Sequence, residues 1–219
     1  MIHNPIHEKS AYSAWRKALS YVTSHGEVYT DRNKRKCLEC LNLQISITDT
    51  KRIDEPIRLL SRVKSWLYPD LLDVAKVMLP NVDSQAHKYN YGQRLFSYQQ
   101  SVNQIDTFVI PKLQQNPYSR KAIAIVVDPK IDSHSTSTIT PSILALDFKI
   151  RDNLLHVTCM IRSCDLFFGF PANVYQVHTL QEYVAKKINI ELGSITFFCN
   201  SAHTFGEYES YMKDVFSYL

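Results

Sequence analysis

Ile161-Arg162-Ser163-Cys164-Asp165-Leu166-Phe167-Phe168-Gly169-Phe170-Pro171-Ala172-Asn173 gathers an arginine, a serine, an aspartate and an asparagine into one short stretch. It follows an apolar run, Leu154 to Ile161, and precedes apolar residues at helical spacing from Val177. It therefore reads as a strand end leading into a helix. Arginine and serine together suit a phosphate, through a planar fork of donors and a hydroxyl. Asparagine can both donate to and accept from the amide edge of a pyrimidine. The same composition also suits a plain polar loop between strand and helix, and composition alone does not separate the two.

Upstream, Ile143 to Ile150 and Leu154 to Ile161 are strand-like, with Arg151-Asp152-Asn153 as a tight turn. Lys121 to Val127 is rich in β-branched residues, and Ser133 to Thr140 is a polar loop. Gln104 to Gln115 predicts a helix that Pro111 kinks. Residues 56–79 look helical between Pro56, Pro69 and Pro80. Leu41 to Thr48 alternates, with Leu41, Leu43, Ile45 and Ile47 on one face of a strand. Asp31 to Lys36 is a charged loop, and Lys9 to Ser24 is an amphipathic helix ended by Gly26. Downstream, the pattern predicts a helix over Val177 to Ile188, a strand over Ser194 to Cys199 and a short helix from Glu207. The expected fold class is α+β, one domain over 1–219 built on a substantial sheet.

The chain has 219 residues, enough for a full core without staples. Its hydrophobic share of 45% excludes disorder as the main state. A net charge of +4 permits an anionic ligand but does not indicate a nucleic-acid binder. Only 5 glycines argue against glycine-rich nucleotide loops. No secretory signal and no membrane span are visible, so the expected location is cytoplasmic, with no membrane partner. Five cysteines (37, 40, 159, 164, 199) suit a reducing compartment. The lone Cys37-x-x-Cys40 lacks a second ligand pair, so no metal site is expected.

The stretch Arg162-Ser163-Cys164-Asp165-x-Phe167-x-Gly169-x-Pro171-x-Asn173 resembles the nucleotide-binding signature of the thymidylate synthase and dCMP hydroxymethylase family. Asn90-Tyr91-Gly92-Gln93-Arg94, Asn103-Gln104-Ile105, Asn116-Pro117-Tyr118-Ser119-Arg120-Lys121, Asp128-Pro129, Leu192-Gly193 and Ala202-His203-Thr204-Phe205 resemble further family motifs, in the family's order. Asp31-Arg32 stands where an N-terminal phosphate-loop pair sits. The resemblance runs over about residues 28–206 and is to the short, archaeal-type members.

The resemblance implies a thymidylate synthase-like fold, a large mixed sheet flanked by helices, with sheets packed back to back in a homodimer that shares its active sites. It implies a pyrimidine nucleoside 5′-monophosphate as substrate and a one-carbon transfer to C5. Arg32, Arg162 and Ser163 would bind the phosphate, and Arg120 and Lys121 would reach it from the other chain. Asn173 would read the base, where Asn goes with uracil. His203 would touch the sugar, and Asp165 would order water and the cofactor ring. Tyr91 would assist proton removal from C5. The implied cofactor is a methylenetetrahydrofolate-type one-carbon donor, with no metal.

Several positions depart from the family pattern. Ser142, in Thr140-Pro141-Ser142-Ile143, stands where the family has its nucleophilic cysteine. A serine hydroxyl is far less acidic than a thiol and needs a dedicated base. Three accounts stay open: a substitution made to trap a complex, a natural loss of activity that leaves a nucleotide-binding homodimer, or another reaction on the same scaffold. The general-base glutamate has only Glu55 as a candidate, and a solvated helix start suits Glu55 equally. Phe205 stands where the family has tyrosine, so one hydroxyl contact to the sugar is missing. Val126 and Val127 precede Asp128-Pro129 where relatives place a tryptophan.

Overall fold

Asp152 and Asn153 both take left-handed backbone, with φ of 50° and 59°, and close a two-residue hairpin. It joins β5 (Ile143–Arg151) to β6 (Leu154–Ile161). The computed structural model describes residues 3–63, 68–80, 90–134 and 140–217. Around this hairpin the described strands form one eight-stranded mixed sheet in the order β1-β3-β8-β6-β5-β4. The others are β1 (Ile6–Glu8), β2 (Glu27–Thr30), β3 (Lys36–Ile47), β4 (Ile123–Ile125), β7 (Cys164–Asp165) and β8 (Glu191–Phe205). β2 pairs with the start of β3, and β7 pairs with the end of β8.

One face of the sheet is covered by α1 (Ala11–His25) and α7 (Gly169–Ile188). Ser10 caps α1 reciprocally with Ser13, and Gly26 ends it. A side chain at Gly26 would put its Cβ 2.5 Å from the Val22 carbonyl and 3.0 Å from the Glu39 amide, so only glycine lets the helix end pass this close to β3. Trp15 of α1 is fully buried; its ring stacks on Phe167, and its Nε1 donates to the Leu166 carbonyl at 2.7 Å. The Leu166 amide donates to the His203 carbonyl at 2.8 Å. Both peptide groups of Leu166 are thus tied down, which locks the chain right after Asp165.

Sequence periodicity under-measured the two long central elements. β8 runs for 15 residues rather than the six of Ser194 to Cys199, because the polar Asn200, Ser201, His203 and Thr204 hide a strand paired on both sides. α7 starts at Gly169 rather than Val177. Gly-Phe-Pro reads as loop, yet proline is tolerated in a first helical turn, where its missing N–H has no partner to lose. Leu41 was expected on the buried face but is 51% exposed, whereas Cys40 is buried. Asn42 between Leu41 and Leu43 takes φ 60°, and this turns the strand locally. Ahead of Pro111, residues Ile105–Val109 form a π-helical turn that leads into α5 (Ile110–Gln115). The expected kink is therefore a widened turn. Proline cannot donate to the carbonyl four residues back, and Ile110 donates five residues back to Ile105. The helix expected over 56–79 is two short helices, α2 (Glu55–Leu60) and α3 (Leu71–Lys76), and residues 64–67 lie outside the described part.

The opposite face of the sheet carries an apolar row. The register places Ile125 beside Ala145, Ala145 beside Met160, and Met160 beside Phe198. Ile125, Met160 and Phe198 are 48%, 44% and 41% exposed. No described helix covers them.

Candidate functional site

The start of β5, the residue that follows β6 and the first residue of α4 (Tyr91–Phe96) meet at Ser142. Arg162, just past β6, donates from Nε to the Pro141 carbonyl at 2.9 Å and from Nη2 to the Thr140 carbonyl at 2.7 Å. The Arg162 amide donates to the Ser142 carbonyl at 2.9 Å. Its guanidinium thereby closes the loop that presents Ser142, and no described group accepts a hydrogen bond from Nη1. The Tyr91 phenol lies against the backbone of Ser142 and Ile143. Burial raises its pKa, and the backbone of Ile143 and Ser142 and the Arg162 charge oppose that rise. Among the described residues no carboxylate or imidazole hydrogen-bonds the Ser142 hydroxyl.

Asp165 lies one strand over. Its Oδ1 accepts from the Phe167 amide at 2.9 Å and the Phe168 amide at 3.2 Å, and its Oδ2 accepts from the Tyr208 hydroxyl at 3.3 Å. Burial raises the Asp165 pKa; the neighbouring His203 and these hydrogen bonds only partly offset that. A carboxyl whose folded pKa lies above its unfolded value binds its proton more tightly in the folded state. Its burial cost is absent below the unfolded value and grows as pH rises through the window up to the raised pKa. Asp165→Asn keeps the shape and removes the charge. The variant is expected to melt at a higher temperature than the parent at pH 7, with the gap closing toward pH 4, as followed by circular dichroism. An equal or lower midpoint at pH 7 would contradict this.

His203 pairs in register with Asp165 and with Glu39 of β3. Its Nδ1 lies 3.4 Å from the Ser201 hydroxyl, which bonds to the Glu39 carboxylate. Asn173 is on the first turns of α7, with Nδ2 donating to Gln176 Oε1 at 3.2 Å. Ser163 is half-buried beside Arg162. Arg32 sits exposed in the β2–β3 hairpin turn, which Asp31 builds by accepting from the Asn33 and Arg35 amides. β3 carries that hairpin alongside Phe205 and His203.

Two of the expected groups lie apart. Arg120 and Lys121 are exposed ahead of β4, and the register carries them past Asp147 toward Lys149. At ~3.3 Å per residue along β5 that is roughly 20 Å from Ser142. They line a depression with Lys112 and Ser119 instead. Glu55 starts α2 and pairs with Arg52 at 2.8 Å. It has no described contact with the other candidates.

Three contributors were not singled out from the sequence. Tyr208 holds Asp165 from a short helical turn. Arg94, one turn after Tyr91 on α4, is gripped by the almost fully buried Asp132 at 2.9 Å and Asp128 at 3.8 Å, and this fastens α4 in place. Arg35 lies over Phe205. The spacing Asp128-x-x-x-Asp132 across a proline was the only sequence signal for the Arg94 clamp.

The sequence profile of the family described as Thymidylate synthase matches residues 80–217. A "Putative thymidylate synthase" of Methanosarcina barkeri is 37% identical over 202 residues, 91% of this chain and 88% of the relative. The chain belongs to the thymidylate synthase family. A second relative with that printed name, from Methanocaldococcus jannaschii, is 32% identical over 220 residues, 96% of this chain and 95% of the relative. "Thymidylate synthase 1" of Bacillus spizizenii is 28% identical over 114 residues, 52% of this chain and 40% of the relative. The mixed α+β sheet flanked by helices agrees with the thymidylate synthase fold. No described helix is long and apolar enough to cross a membrane.

Proposed function

We propose that this chain acts at C5 of a pyrimidine nucleoside 5′-monophosphate with uracil as its base, as a one-carbon transferase working as a homodimer. The observation that carries the reading is the joint anchoring of Arg162, Ser142 and Tyr91: one guanidinium holds the Ser142 loop and keeps donors free beside it. In this reading Arg162, Ser163 and Arg32 hold the phosphate dianion. Asn173 holds the base edge and His203 the sugar. Ser142 faces C6 of the ring, where addition of a nucleophile turns C5 into a carbon nucleophile, and Tyr91 positions the water that takes the C5 proton.

The exposed row of Ile125, Met160 and Phe198 supports a second copy packed on this face. Arg120 and Lys121, out of reach of their own chain's Ser142, would then serve the neighbour. A methylenetetrahydrofolate-type donor needs a hydrogen-bond acceptor for its ring. Asp165 fits that need: its Oδ2 has lone-pair capacity left beyond its single bond to Tyr208, and Phe168 and Tyr208 pack edge to face at 4.8 Å beside it. Asp165 would hold the donor's ring, and the bound donor would supply the carbon.

Calorimetric titration with dUMP, UMP and CMP tests the reading. A uracil nucleotide is expected to bind with one site per chain, at least about 10-fold tighter than its nucleoside, since charge-assisted phosphate contacts are worth ~1.5–3 kcal/mol each. Sedimentation should give a dimer. Absence of binding by all three nucleotides would discard the reading. One observation favours a second reading, a nucleotide-binding homodimer without the chemistry: no described group stands ready to take the Ser142 proton.

A further inference from the structure

Phe205 ends β8 two residues after His203, on the same side of the strand, and the two rings meet edge to face at 5.3 Å. A phenyl ring has nothing to donate to a sugar. Directly over it stands a guanidinium, with Arg35 Cζ 3.8 Å from the ring centroid. Its orientation is set from two sides. Asp31 Oδ2 accepts from Nε at 2.9 Å and lies 2.8 Å from Nη2 as an ion pair, and Glu207 lies 3.8 Å from Nη1. The side chain keeps 35% of its surface open, on the hairpin that also carries Arg32. Asp31 takes the Nε–H and pairs with Nη2, and no described group accepts a hydrogen bond from Nη1, so the Nη1–Nη2 end forms a half-exposed, charged edge next to the His203–Phe205 pair.

We propose that Arg35 sets the sugar specificity of this site, donating to the neighbouring 2′- and 3′-hydroxyl oxygens, and that the preferred ligand is a ribonucleotide rather than its 2′-deoxy counterpart. The proposal rests on the reading above, in which His203 meets the sugar. A planar fork of donors matches a pair of oxygens on adjacent carbons, as it matches the two oxygens of a carboxylate. Stacking on Phe205 desolvates one face of the guanidinium and holds the fork flat without competing for its donors. A deoxyribose lacks one of the two acceptors and leaves part of that edge unpaired.

The test compares UMP with dUMP by calorimetry on the parent, on Arg35→Lys and on Phe205→Tyr, with melting curves confirming that each variant is folded. The parent is expected to bind UMP about 10-fold tighter than dUMP, a modest ratio because the edge is partly solvated. Arg35→Lys keeps the charge that attracts the phosphate and loses the fork, so the ratio should fall to within about threefold. Phe205→Tyr adds a hydroxyl that reaches the 3′ position of either sugar, so it should tighten UMP and dUMP alike and leave their ratio within about threefold of the parent's. Equal affinities in the parent, a preference for dUMP, or a ratio that survives Arg35→Lys would overturn the proposal. If Arg35→Lys does not fold, Arg35→Gln takes its place, and a ratio in that variant as large as the parent's would overturn the proposal. Binding of neither nucleotide to the parent would instead bring down the nucleotide reading itself.

Discussion

Ser142→Cys is expected to switch on exchange at C5, releasing tritium from [5-³H]dUMP or [5-³H]UMP at least about 100-fold faster than the parent chain. The difference lies in the nucleophile. A cysteine with an unperturbed pKa near ~8.5 is a few per cent thiolate at neutral pH, and a nearby guanidinium lowers that pKa further. A serine hydroxyl is essentially never ionised there without a base, and no described side chain offers one to Ser142. The loop that presents position 142 is already held by Arg162 through the Thr140 and Pro141 carbonyls, and the larger sulfur needs no rearrangement of those bonds. Addition at C6 makes the C5 hydrogen exchangeable with water, so release should occur without a one-carbon donor and rise when methylenetetrahydrofolate is supplied. Parent activity close to that of the variant would show that serine suffices and that a base has been missed. Silence of both proteins toward nucleotides that they bind would leave the binding-dimer reading standing and remove the transferase.

Arg162→Met carries the second large effect. In the proposed reading the guanidinium serves two ends at once: Nε and Nη2 fasten the Thr140-Pro141 turn, and its remaining donors would take the dianion. Losing two charge-assisted hydrogen bonds at ~1.5–3 kcal/mol each, with some rearrangement of solvent, corresponds to roughly 100- to 1,000-fold in nucleotide affinity. Methionine keeps the length and the apolar stem, so packing changes little. Arg162→Lys should recover only a small part, because a point charge cannot hold two carbonyls and a phosphate together. Calorimetry with UMP and uridine separates the causes. The nucleotide should weaken by two decades or more while the nucleoside, lacking the phosphate, changes far less. An affinity for UMP within about threefold of the parent's would mean that the phosphate sits elsewhere.

Much of the candidate site was legible because its proposed residues are close in the chain. Arg162, Ser163, Asp165 and Asn173 fall within one strand-to-helix crossing, and a short contiguous motif records such a crossing directly. Tyr91 and Ser142 were legible as members of separate motifs, but their meeting was not. Tyr208, Arg94 and Arg35 escaped notice because each acts on a partner far along the chain or through a ring, and each lies in a segment whose composition reads as an ordinary charged or aromatic surface.

Local chemistry in the chain determined the hairpin at Asp152-Asn153, the amphipathic first helix, the α+β class and the family, since turn residues, apolar spacing and contiguous motifs act over a few residues. Only the tertiary structure decided how far β8 and α7 extend, which way Leu41 faces, that Asp165 is buried against Tyr208, and that Arg120 and Lys121 stand away from their own Ser142. Those outcomes depend on neighbours brought together by sheet register and helix packing: backbone pairing on both sides can sustain a strand through polar residues, and burial can raise an acid's pKa whatever its sequence context.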